Sequence, residues 1–175
     1  MRGEWYRRAA EAGDANAQFN LAVNYANGTG VTKDARSAVE WYRRAAEAGN
    51  KEAQHNLASC FLFGDGVHKD ARAAVVWYRR AATAGDVVAQ TTLGNCYRLG
   101  EGITKDERAA VGWYRRAAEA GYAAAQFNLG ECFADGVGVD ADVREAAAWL
   151  ERAAAGGDAE CAANARAVLA ELRAR

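Results

Sequence analysis

Five tryptophans stand at positions 5, 41, 77, 113 and 149, each 36 residues after the last, and the chain has no others. A constant period of this length constrains the fold more than any composition can. It marks a solenoid, in which one supersecondary unit buries its apolar face only by stacking on the next. Set on that period, the 175 residues divide into a half unit (1–13), four full units (14–49, 50–85, 86–121 and 122–157) and a capping helix (158–175). The reading is a single repeat array over residues 1–175.

Each unit reads as helix, loop, helix. In the first helix of unit one, Gln18, Leu21, Ala22 and Tyr25 fall at i, i+3, i+4 and i+7, which is one helical face. The face returns as Gln54, Leu57, Ala58, Phe61, as Gln90, Leu93, Gly94, Tyr97, and as Gln126, Leu129, Gly130, Phe133. The small third residue predicts close approach of a neighbouring helix. The loops run GTGVTKD, GDGVHKD, GEGITKD and GVGVDAD. Gly28 is placed to end the first helix in a left-handed conformation. Asp34, Asp70, Asp106 and Asp142 are placed to cap the second.

The second helix carries the phrase WYRRAA. Ala38, Tyr42, Ala45 and Gly49 are expected on its inner face, with Trp41, Ala46 and Ala48 at the flank. Arg36, Glu40, Arg43, Arg44 and Glu47 are left for solvent, as the i,i+4 pairs Arg36/Glu40 and Arg43/Glu47. With no proline and abundant alanine, the class is all-α, about ten helices in all.

The unit A-x-x-Q-x-N-L-x-x-x-Y-x-x-G-x-G-V-x-x-D…A-x-x-W-Y-x-x-A-A-x-x-G resembles the Sel-one-like repeat, a relative of the tetratricopeptide repeat, over nearly the whole chain. The resemblance implies a right-handed α-α superhelix of helix pairs that gathers partner proteins. It implies a non-catalytic scaffold or adaptor that binds a peptide or partner protein on its concave face. The alternative is a regulatory or targeting segment of a larger enzyme or envelope-associated protein. Some bacterial relatives carry a disulfide within each helix–loop–helix. The matching position near Ala154 is not cysteine, so that feature does not carry over.

A position filled alike in every unit serves folding and stacking, whereas a position that changes is released from that duty. By analogy with tetratricopeptide arrays, the first helices line the concave face. Their changing positions are the candidate partner-binding residues: Phe19, Val23 and Asn27 in unit one, and His55, Ser59, Leu62 and Phe63 in unit two. Unit three adds Thr91, Asn95, Arg98 and Leu99, and unit four Phe127, Glu131 and Asp135. An apolar set rimmed by polar side chains suits a peptide or helix laid in a groove.

Other chemistry finds little footing. A formal net charge of −1 gives no general pull toward nucleic acid. No apolar run approaches the roughly 18 residues of a membrane span. Cys60, Cys96 and Cys132 are 36 apart, with Cys161 elsewhere. Equivalent atoms of adjacent units lie about 8–10 Å apart, beyond the reach of a disulfide, so four free thiols are expected. There is no C-x2-4-C spacing for zinc, and His55 and Cys60 cannot share a helical face. The G-x-G loops lack the GK[ST] ending of a phosphate loop. No catalytic residue, metal or cofactor is expected.

The half unit begins within a second helix. Trp5, Tyr6, Ala9 and Ala10 would leave one side unpaired, which fits either a piece of a longer array or a homodimer formed there. At the other end, Leu169 and Leu172 share one side of the expected capping helix. The absence of a signal-like start, together with the free thiols, points to the cytoplasm.

Overall fold

The computed structural model describes residues 2–174, with side chains from residue 7 onward. Among the described residues there are ten helices and no strand. Helices α1 (Arg2–Glu11), α2 (Ala15–Asn27), α3 (Ala35–Glu47), α4 (Lys51–Phe63) and α5 (Ala71–Thr83) form one compact unit, which ends at Asp86. Helices α6 (Val87–Leu99), α7 (Glu107–Glu119), α8 (Ala123–Asp135), α9 (Val143–Ala154) and α10 (Ala159–Ala174) form a second, which begins at Val87.

Local chemistry sets the helix ends. Asp34 accepts hydrogen bonds from the Arg36 and Ser37 amides at 3.0 and 3.3 Å, Asp70 and Asp142 cap α5 and α9 in the same way, and Asp106 caps α7 by accepting from the Ala109 amide at 2.9 Å. A carboxylate there satisfies amides that have no partner within the helix and sits well against the helix dipole. Gly28, with φ +76°, ends α2 in the left-handed conformation and donates its amide to the Asn24 carbonyl at 2.8 Å. The loop then folds back on itself. The amide of each capping Asp donates to a carbonyl near the end of the first helix: Asp34 to Tyr25 and Asp142 to Phe133, both at 2.9 Å. This return makes the two helices of a repeat neighbours.

Packing explains the recurring face. Leu21, Leu57, Leu93 and Leu129 are buried in every repeat, each stabilising by about 1.5–3 kcal/mol. Ala22 and Ala58 are fully buried. At the equivalent Gly94, an added Cβ would meet the Tyr114 ring at 2.5 Å, and at Gly130 it would meet Leu150 at 2.7 Å. The small residue is what lets the second helix seat its large side chain. The recurrent glutamine reaches back to the preceding repeat: Gln18, Gln54 and Gln126 donate from Nε2 to the carbonyls of Ala10, Ala46 and Ala118, each at 3.1 Å. In α10, Arg166 donates to the Ala154 carbonyl at 3.1 Å. Leu169 and Leu172 lie buried in the same cluster as Leu150.

The WYRRAA phrase resolves into separate duties. Tyr42, Ala45 and Ala46 are buried and Trp41 is half-buried. The second arginine stacks on the tryptophan three residues before it: Arg44 on Trp41 (4.5 Å), Arg80 on Trp77 (4.6 Å), Arg116 on Trp113 (4.7 Å) and Arg152 on Trp149 (4.5 Å). The first arginine reaches the next repeat, with Arg43 over Phe61 at 5.5 Å and Arg115 over Phe133 at 6.0 Å. Each such pair is worth about 0.5–1 kcal/mol at an exposed site. Two details of the sequence reading change. Ala46 belongs to the core and not the flank, and Gly49 lies exposed beyond α3 at φ +90°, where it turns the chain.

Candidate functional site

Within the first unit, α2 and α4 carry the changing residues, and the tyrosines of α3 and α5 rise beneath them. The Phe19 ring lies 6.0 Å from that of Tyr42, and Val23 packs on the same cluster. His55 meets Tyr78 edge-on at 5.5 Å, and the Ser59 hydroxyl is 2.9 Å from that of Tyr78. Asn27 and Phe63 are exposed, Phe63 to 70%. A pocket of about 320 Å³ opens here, with Ala26, Lys33, Tyr42, Asn56, Ser59, Cys60 and Asp65 among its lining residues. Burial pushes the Tyr42 hydroxyl above its usual pKa, while a hydrogen bond with the Asn56 side chain acts the other way.

Within the second unit, α6 and α8 carry the equivalent positions. Tyr114 donates to Asn95 Oδ1 at 2.6 Å and accepts from Arg98 Nε at 3.3 Å. Asn128 donates to the same Asn95 oxygen at 3.5 Å. A pocket of about 140 Å³ is lined by Arg98, Asn128, Glu131, Cys132, Asp135 and Val137. Burial raises the Glu131 carboxyl above the ordinary carboxylate range, with Arg98 pulling it down and Asp135 pushing it up. Leu99 is 62% exposed beside this site, and Phe127 is half-buried against the core.

The two pockets occupy the same place in the repeat. Asn56, Ser59 and Cys60 stand 72 residues, or two periods, before Asn128, Glu131 and Cys132, and Ala26 stands 72 before Arg98. The backbone builds one kind of pocket, and the changing side chains give each copy its own chemistry. The first is nearly neutral on its floor, and the second brings a guanidinium against two carboxylates.

Two residues of the expected set do not fit an open face. Leu62 and Thr91 are each 6% exposed. Leu62 is part of the packing, and the Thr91 hydroxyl bonds back to the Val87 carbonyl at 2.8 Å. Asn56, Asn128 and the tyrosine hydroxyls, in contrast, belong to the site but recur along the chain, and recurrence alone assigns them to folding. Their signal is chemical: a buried tyrosine carries a polar tip that must find a partner. At the N-terminal end, Ala10 is buried with Ala17 and Leu21, and the side chains of Trp5 and Tyr6 lie outside the described residues.

All four cysteines are free. Burial pushes the thiols of Cys60, Cys96 and Cys132 up to about 11, which makes them poor nucleophiles at neutral pH. Among the described residues, no three His, Cys, Asp or Glu side chains gather as a metal site requires, and no helix is long and apolar enough to cross a membrane.

Comparison with known proteins agrees with this architecture. The Sel1 repeat model matches residues 4–14, 15–50, 51–86, 87–122 and 123–158. A Sel1 repeat protein from Oxalobacter formigenes is similar over 89% of this chain and 64% of its own, at 40% identity and a TM-score of 0.86. A protective antigen of uropathogenic Escherichia coli strains, displaying an SLR fold, is similar over 92% of this chain and 34% of its own, at 37% identity and a TM-score of 0.88. This chain therefore spans less than two thirds of either relative. An immunity protein of Pseudomonas aeruginosa, PA5088, is similar at 25% identity over 91% of this chain and 58% of its own, with a TM-score of 0.58. No curated protein matches the sequence.

Proposed function

Because the chain belongs to the Sel1 repeat family, we propose that it is a non-catalytic scaffold that holds a peptide or partner segment on the face formed by its first helices. The observation that carries this reading is the pair of repeat-equivalent pockets with unlike linings. A structural requirement of stacking would fill both alike. Side chains of a bound segment enter such pockets, and exposed Phe63 and Leu99 supply apolar contact beside them. Tyr42 lines the first pocket from its buried position, and Tyr114 holds Arg98 in the lining of the second, which lowers the ordering cost of binding.

The test is a pull-down with the intact protein and its Phe63→Ala and Arg98→Ala variants, with thermal melting to confirm that both fold. The expected result is loss of captured partners with either variant and retention with Arg108→Ala. An unchanged partner set in well-folded variants would place recognition elsewhere.

A further inference from the structure

A second surface lies on the exposed side of α5, away from the buried face that carries Tyr78. Along the repeat, α5 takes the place of α3, α7 and α9. Helix α3 sets Arg36, Arg43 and Arg44 against Glu40 and Glu47. Helix α7 sets three arginines against Glu107 and Glu119, and α9 sets two against Glu145 and Glu151. The formal charges are +1, +1 and 0 by that count. Helix α5 has Arg72, Arg79 and Arg80 and no acidic residue, which gives +3. Val76 stands where α3 has Glu40, and Thr83 where it has Glu47.

The result is an apolar depression with a cationic rim. Val76 is 54% exposed. Together with Arg79, Arg80, Thr83 and Ala84 it lines a shallow pocket of about 600 Å³. The Thr83 hydroxyl bonds the Arg79 carbonyl of its own helix at 2.6 Å, so it makes little polar demand on the pocket. Trp77 holds the Arg80 guanidinium from one face at 4.6 Å, which orients its N–H edges before any ligand arrives. The nearby Asp70 carboxylate accepts from the Arg72 and Ala73 amides at 3.0 Å and caps the helix.

We infer that this face of α5 docks an acidic peptide segment with an apolar anchor, the anchor resting on Val76 and the flanking carboxylates meeting Arg72 and Arg80. Charge complementarity selects this occupant, because guanidinium pairs with carboxylate in a planar, two-bond geometry. A nucleic acid is less suited, since Glu40 and Glu47 of α3 interrupt any longer basic track in the same unit. The surface is separate from the first-helix face, so either can fail without the other.

The experiment uses the full chain and fluorescein-labelled peptides of sequence EELEELEE and KKLKKLKK, with a single-stranded oligo-U probe alongside, read by fluorescence anisotropy. The expected result is saturable binding of the acidic peptide alone, weakened about tenfold by Val76→Glu and weakened also by added salt. The Val76→Glu change installs the residue that repeat one already carries in a folded helix, so loss of binding is not loss of fold. Equal binding to the variant, tighter binding of the lysine peptide or of oligo-U, or no acidic-peptide binding up to about 1 mM would overturn the assignment.

Discussion

The loop glycines allow the stacking of repeats to be weighed against backbone strain. Gly30 and Gly66 hold the same place in successive loops and have nearly the same backbone, at φ +71° and +70°. Their surroundings differ. An added Cβ at Gly30 meets nothing within 4 Å, whereas one at Gly66 would overlap the backbone carbonyl of Ala35, at the start of α3. Gly30→Ala therefore tests the left-handed conformation alone, at a cost of about 1–2 kcal/mol. Gly66→Ala adds the overlap of a side chain with backbone that cannot swing aside, for about 1–3 kcal/mol more. Each kcal/mol shifts the melting temperature by about 2–4 °C in a chain of this size. Urea and thermal melting of both variants, followed by far-UV circular dichroism, measures the difference. Equal losses would mean that the contact between loop and preceding helix does not hold adjacent repeats in register, and the packing argument would fail.

Other outcomes follow from the same structure. Tyr114→Phe keeps the buried ring and loses the bonds to Asn95 and Arg98, so denaturation should show a loss of about 1–2 kcal/mol, against about 3–5 for Tyr114→Ala. Burial holds the His55 imidazole below its ordinary 6.5, with Asp86 pulling weakly upward. The unfolded chain then takes up the proton first as pH falls, so this stability is present above pH 6.5 and lost as pH falls through the folded value. His55→Gln should flatten the decline seen in chemical denaturation as pH falls below 6.5. An unchanged slope would assign the decline to other groups. The raised thiols act in the opposite sense. Their stability is present below the ordinary 9.0 and lost as pH rises toward about 11. Thiol titration at pH 8 should be slow in the native protein and reach four groups in denaturant.

The fold was legible because its signals are local and repeated. Asp34 caps, Gly28 turns and Leu57 packs for reasons that sequence spacing already contains, whereas the bond from Gln54 to the Ala46 carbonyl emerges only in the structure. The arginines were less legible. Charge spacing paired Arg43 with Glu47, yet the structure sets Arg43 over Phe61 and Arg44 over Trp41. A planar guanidinium gains from covering a half-buried ring, and an exposed ion pair offers little to compete with that. Leu62 and Thr91 change from repeat to repeat yet are buried, since a core position tolerates different residues of suitable size. The tyrosines went the other way. Tyr42 and Tyr114 recur because their rings pack, while their hydroxyls reach the changing face. A residue can therefore pack through its ring and present its hydroxyl to the changing side chains, and a comparison of letters between repeats sees only the first.

The central claim is that partners bind where the repeats differ. Site-specific photo-crosslinking tests it most directly, with a photoreactive residue placed at 63 or 98 on the first-helix face and at 40 or 108 on the second helices, in the intact protein among its natural partners. The account predicts defined partner adducts from 63 and 98 and none of the same species from 40 and 108. The reverse pattern, or equal yields from all four positions, would contradict it.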